Sequence, residues 1–130
     1  MPDVMVSFPG GLRVDAKVGE FVVHTDQPAG GGGEGSAPTP FAVFLASLGA
    51  CAGIYVLGYL KARSLPTDGL ELRQEHEVDP DTGLVKTVRM RIRLPKGVGS
   101  EHHASIVRSA QKCAVKKHLE HPPAFDVAIA

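Results

Sequence analysis

Apolar residues recur at every second position through the first part of the chain. Val4, Val6 and Phe8 precede Pro9-Gly10-Gly11, Leu12, Val14, Ala16 and Val18 precede Gly19, and Phe21-Val22-Val23 follows. A period of two punctuated by glycine is the pattern of half-buried strands, so residues 3 to 24 read as a three-stranded meander. From Gln27 to Pro40 the periodicity stops. Pro28, Gly30 to Gly33, Gly35, Pro38 and Pro40 mark a loop whose backbone is either mobile or held in special conformations.

Phe41 to Leu60 is a run of 20 residues without a charge, closed by Lys61 and Arg63. It reads as a helix, with Thr39 as N-cap, Pro40 in the first turn and Pro66 beyond the point where a helix continues. Its apolarity runs all the way round, which demands either a membrane or cover on every side. Length and the Gly49/Gly53 pair favour a membrane. Three interior glycines, Ser47, two tyrosines and sheet-like flanks favour burial, and burial is the reading adopted.

Leu70, Leu72 and Val78 alternate against Glu71, Arg73, Glu75 and Glu77. After Pro80-Asp81-Thr82-Gly83 the mirror pattern sets Val88, Met90, Ile92 and Leu94 against Thr87, Arg89, Arg91 and Arg93. This is a hairpin with one wet face, on which opposite charges meet across the strands. Ser100 to His118 follows as an amphipathic helix with Ile106, Ala110 and Cys113 on its apolar stripe, and Pro122-Pro123 ends it. Phe125, Val127 and Ile129 alternate as a last strand. The order predicts an α+β fold of mainly antiparallel sheet packed around a buried helix and a second amphipathic one. At 130 residues and 13.7 kDa, residues 1–130 are expected to form a single domain.

Composition narrows the function. Fourteen Lys and Arg against fourteen Asp and Glu leave no net charge, and aromatics are only 5%, so neither the field nor the stacking platforms of a nucleic-acid binder are present. Two cysteines do not make a disulfide scaffold, and Met1 to Gly10 lacks the basic-then-apolar pattern of a signal peptide. A cytoplasmic protein with free thiols is expected.

Those thiols, Cys51 and Cys113, are the principal candidates for chemistry. Free cysteine is often merely a small buried hydrophobe. A reactive one must be a thiolate, and that requires something to lower its pKa. Lys112 and Lys117 neighbour Cys113, whereas no charge lies within nine residues of Cys51 on either side, so its cation would have to come from elsewhere in the fold. The glycine run lacks the Gly-Lys-Ser/Thr ending of a phosphate loop and reads as a mobile loop. His118 and His121 with Cys113 make a weak zinc set without a fourth ligand. His102 and His103 read as exposed first-turn residues.

Gly35-Ser36-Ala37-Pro38-Thr39-Pro40 followed by Phe44-Leu45-Ala46-Ser47-Leu48-Gly49-Ala50-Cys51-Ala52-Gly53-Ile54 resembles the central helix of the OsmC/Ohr family. Ala110-Gln111-Lys112-Cys113-Ala114-Val115 resembles that family's second-cysteine motif. The resemblance implies an intertwined homodimer whose apolar helices pack at its centre, with no membrane or nucleic-acid partner. It implies a thiol peroxidase in which the Cys51 thiolate attacks a small-molecule hydroperoxide and becomes a sulfenic acid. Cys113 then condenses with it to a disulfide, which a dithiol reductant opens. No metal or organic cofactor is implied.

One position departs from the family pattern. Hydroperoxide-reducing members carry a glutamate ten residues before the first cysteine, paired with an N-terminal arginine, and here that position is Phe41. Neither Ala42 nor Glu34 restores it. Arg13, the sole arginine before Arg63, is the candidate for the arginine role, although it shares a solvent face with Asp15 and Lys17. Two functions follow: a peroxidase with an altered thiolate-stabilising shell, or a non-catalytic or ligand-binding member with core cysteines.

Overall fold

A computed structural model describes all 130 residues. The period-two segments form β1 (Val4–Gly10), β2 (Arg13–Val18) and β3 (Phe21–Thr25). They build an antiparallel sheet in the order β1-β2-β3, with Val6 opposite Ala16 and Ala16 opposite Val23. Gly11 and Gly19 turn the chain in the left-handed region, at φ 57° and 59°. The long uncharged run is α1 (Pro40–Ala62). The charged hairpin is β4 (Glu71–Val78) with β5 (Val85–Arg93), followed by α2 (His103–Ala110) and α3 (Ala114–Glu120). Two antiparallel sheets with three helices make the fold α+β, as the element order predicts. The chain divides into two compact units, Met1–Ala46 and Ser47–Ala130.

In the first unit the glycine-rich loop is ordered by one buried carboxylate. Asp26, 1% exposed, accepts hydrogen bonds from the amides of Gln27 at 2.7 Å, Glu34 at 3.3 Å and Ser36 at 3.1 Å, and from the Ser36 hydroxyl at 2.6 Å. The Ser36 hydroxyl, then its amide, hold the Asp26 carboxyl at about 2, below its ordinary 3.8. Gly33 must be glycine, since a Cβ there would strike the Gln27 carbonyl. The run is therefore a built turn and not a tether. At its end the Thr39 hydroxyl accepts from the Ala42 amide at 3.2 Å, capping α1 as expected.

In the second unit α1 buries a single stripe, Leu48, Ala52, Val56, Tyr59 and Leu60. Val56, Tyr59 and Leu60 pack with Ile106 of α2 over Leu70, Ile92 and Leu94 from the hairpin segment. The opposite side is not covered within the chain: Ile54 is 60% exposed. By length and composition alone the helix could cross a membrane. It ends in a Schellman motif, the Leu65 amide donating to the Leu60 carbonyl and the Ser64 amide to the Lys61 carbonyl. The hairpin pairs Glu71 with Arg93 at 3.1 Å and Glu77 with Arg89 at 2.8 Å, the cross-strand neutralisation its sequence implies. Arg73, however, lies opposite Arg91 and pairs with Glu75 on its own strand. A register shift after Glu77 leaves Val78 exposed and not inward.

Three expectations fail here. The helix read over Ser100–His118 is broken: a 3-10 turn, Ser100–His102, leads into α2, and the chain leaves helical geometry at Gln111–Cys113 before α3. Cys113 is thus not on a helix stripe but is the N-cap of α3. His102 is no idle surface residue, because its Nδ1 meets the buried Tyr59 hydroxyl at 2.8 Å. The strand read over Phe125–Ile129 has no partner within the chain, and those residues stand exposed without regular structure. Alternation marks the capacity to pair, and pairing needs a free edge presented to it.

Candidate active site

Cys51 lies in the fourth turn of α1 and Cys113 at the start of α3, and the fold brings their side chains into hydrogen-bonding contact. The break before α3 bears directly on the Cys51 thiol. The first amides of a helix have no partner inside it, and those of Val115 and Ala114 donate to the Cys51 sulfur. With the Cys113 thiol they lower the Cys51 pKa below that of an ordinary thiol, the Val115 amide contributing most.

Cys113 moves the other way. It is 2% exposed, burial raises its pKa, and the neighbouring Cys51 raises it further, against the Lys116 amide that donates to its sulfur at 3.4 Å. The two shifts run in opposite directions, so of the pair Cys51 is the more readily deprotonated thiol and Cys113 the one that holds its proton more firmly. The stabilising groups are peptide N–H dipoles rather than the cation that the sequence reading demanded. Backbone amides are indifferent to side-chain identity, so only the helix break could have signalled them, and no Gly or Pro marks it.

The other candidate residues have partners of their own. Arg13, in the first unit, donates to the carbonyls of Gly10 at 3.3 Å and Pro9 at 3.4 Å. Its neighbours around a small cavity include the Asp15–His24 pair, whose atoms approach to 3.0 Å. Phe41 is 53% exposed and stacks on Phe44 with ring centroids 5.7 Å apart. His118 turns back onto the Ala114 carbonyl at 2.6 Å. Beside the dithiol lies an apolar cavity of about 340 Å³ between α1, β5, α2 and α3. Val88, Met90, Val107 and Leu119 line it, together with Cys113 and Lys116.

Residues 32–128 match the family profile described as OsmC-like protein. No curated protein matches the chain. Among solved structures the fold is shared with a Psychrobacter arcticus protein described as an osmotic stress induced and detoxification response protein, at 21% identity and TM-score 0.77, covering 90% of this chain and 87% of that one. It is shared with an OsmC like protein from Mycoplasma pneumoniae, at 14% identity and TM-score 0.70, over 94% and 89% of the two chains. The organic hydroperoxide resistance protein OhrB of Bacillus subtilis follows at 20% identity and TM-score 0.54, over 89% and 90%.

Proposed function

The chain belongs to the OsmC-like protein family, and from that premise we propose that it is a thiol-dependent peroxidase that reduces organic hydroperoxides in a reducing cytoplasm. The observation that carries the reading is the polarised pair, with amide donors on Cys51 and burial on Cys113. In the first step the Cys51 thiolate attacks the O–O bond and takes one oxygen, leaving an alcohol and a sulfenic acid. The Cys113 thiol, already in contact, then displaces that oxygen as water and forms the disulfide. A dithiol returns the pair to its reduced state. Solved relatives of the same fold that are named for organic hydroperoxide resistance support this substrate class.

The missing glutamate is less damaging than the sequence implies, since the thiolate has donors that need no glutamate-held arginine. Arg13 is retained as a candidate for orienting the peroxide, contributed within a homodimer. The dimer is supported by surface that one chain leaves bare: Phe8 of β1, Phe21 of β3 and Ile54 of α1 are 76%, 80% and 60% exposed. The second reading, a non-catalytic or ligand-binding member, draws on the burial of Cys113 and on Phe41, which is exposed.

Peptide mass analysis after one equivalent of cumene hydroperoxide distinguishes them. The wild type should yield a Cys51–Cys113 linkage. Cys51→Ser should consume no peroxide, and Cys113→Ser should turn over about once per subunit and leave a sulfenic acid that dimedone traps. An unoxidised Cys51 in the wild type after excess peroxide would sink the peroxidase reading.

A further inference from the structure

We propose that α3 is a redox-responsive element: formation of the Cys51–Cys113 disulfide takes away the cap of this helix and loosens it, which opens one wall of the neighbouring cavity. The proposal rests on the disulfide of the preceding reading and adds a change of shape to that change of bonding. Three features make α3 depend on its cap. It is seven residues long, well under the roughly 12 at which a helix begins to persist in water unaided. It has no buried residue, Val115 alone being half-buried. Its side-chain polar contacts stay inside it, His118 to the Ala114 carbonyl at 2.6 Å and Lys116 to Glu120 at 3.5 Å. What ties its start to the rest of its unit is the buried Cys113 sulfur, which accepts the Lys116 amide at 3.4 Å in the position that Ser, Thr or Asp usually fills. The Ala114 and Val115 amides donate to Cys51, so the first three amides of α3 all end on the two sulfurs.

Oxidation acts on that attachment. The two thiols give up two protons and two electrons to the hydroperoxide, which leaves as alcohol and water, and one S–S bond forms. A free thiol turns about its Cα–Cβ bond to meet an amide, whereas a bridged sulfur is aimed at its partner. Negative charge on the pair, which a helix N-terminus favours, is lost as well. The oxidised α3 is thus a short helix without a cap. It supplies Leu119 and Lys116 to the cavity of about 340 Å³ whose other walls include Val88, Met90 and Val107. When α3 frays, those apolar walls meet water.

Hydrogen exchange read by mass spectrometry on the wild-type protein tests this, with the disulfide made by diamide so that the result does not depend on peroxide chemistry. Peptides spanning residues 114–120 should exchange on the order of fivefold faster in the disulfide than in the dithiol form, the factor that loss of one helix cap implies, while α2 keeps its rate. Fluorescence of the apolar dye ANS should rise in parallel. Equal or slower exchange of α3 in the disulfide form, an equal rise in α2, unchanged dye fluorescence, or failure of diamide to form the disulfide overturns the proposal. If diamide succeeds where hydroperoxide fails, the peroxidase reading falls and the switch stands. Two variants separate the cap from the bond. Cys113→Ser keeps a capping oxygen and should exchange slowly with or without diamide, whereas Cys113→Ala has neither cap nor bond and should exchange at the fast rate in both. Fast exchange in the serine variant or slow exchange in the alanine variant would refute the capping role. Should the alanine variant not fold, the serine variant and the wild type decide.

Discussion

At Cys51 and Asp26 the same physical device serves two ends. Each is an acid whose pKa is lowered by hydrogen-bond donors rather than by an ion pair. Neither donor set is visible in the neighbouring sequence. For Cys51 the donors come from a helix terminus reached through tertiary contact, and the effect is a lowered thiol pKa. For Asp26 the donors are local, so the product is loop order. The folded pKa of Asp26, about 2, lies below its ordinary 3.8. Its contribution to stability is thus complete above the ordinary value and is lost as pH falls through the folded one. Asp26→Asn replaces one acceptor oxygen by a donor that faces other donors. It should lower the thermal midpoint at neutral pH, and the gap from wild type should narrow as the pH is taken from about 4 to about 2. A gap independent of pH in thermal melts would mean that the charge of the carboxylate is not what holds the loop.

Among the elements, α1 was the most legible and α3 the least. Thr39, Pro40 and the uncharged run delimit α1 by local rules, and its observed bounds, Pro40–Ala62, differ from the reading only at the ends. Its C-terminus adds a feature that composition does not advertise: Ser64 occupies the left-handed C′ position at φ 53°, where glycine is usual. An L-residue there costs roughly 1–2 kcal/mol, partly offset by the greater freedom glycine loses on folding, about 0.5–1 kcal/mol. Ser64→Gly should therefore stabilise the protein by up to about 1 kcal/mol, measured as a rise in the urea midpoint at constant slope. The second helix departs from the expected span for a reason of principle. Apolar spacing continues through Cys113, and periodicity reports which side chains face a core, not whether the backbone stays helical between them. The break at Gln111–Cys113 frees amides that Cys51 uses, so a local loss of hydrogen bonding is recovered at the site.

On the scale of the whole molecule, one chain leaves too much apolar surface in water. The β1-β2-β3 sheet is bare at Phe8 and Phe21, α1 is covered along one stripe, and Phe125, Val127 and Ile129 are 85%, 92% and 99% exposed with strand-like alternation. A second copy offers both the missing cover and an edge for the last segment to pair with. Sedimentation at micromolar concentration should give about twice 13.7 kDa. A folded, soluble monomer at that concentration would remove the dimer. The double substitution of Val127 and Ile129 by Asp should shift the equilibrium toward smaller species if the C-terminal segment joins the interface.

What the amino-acid sequence determined alone were features that arise from near neighbours: strands of period two, the capped and uncharged α1, the charged hairpin, the motifs around Cys51 and Cys113, and through them the family. These depend on propensity, capping and patterning, which act over a few residues. Only the tertiary structure decided which groups tune the thiols, that Cys113 is a cap and not a helix-stripe residue, that Asp26 orders the glycine loop, and where the cavity beside the dithiol lies. Those facts depend on where residues that are not neighbours in sequence meet, across a loop for Asp26 and across the fold for the thiols, and on which backbone amides remain unpaired when they do. A string of side chains carries no record of an unpaired N–H, because every residue but proline has one.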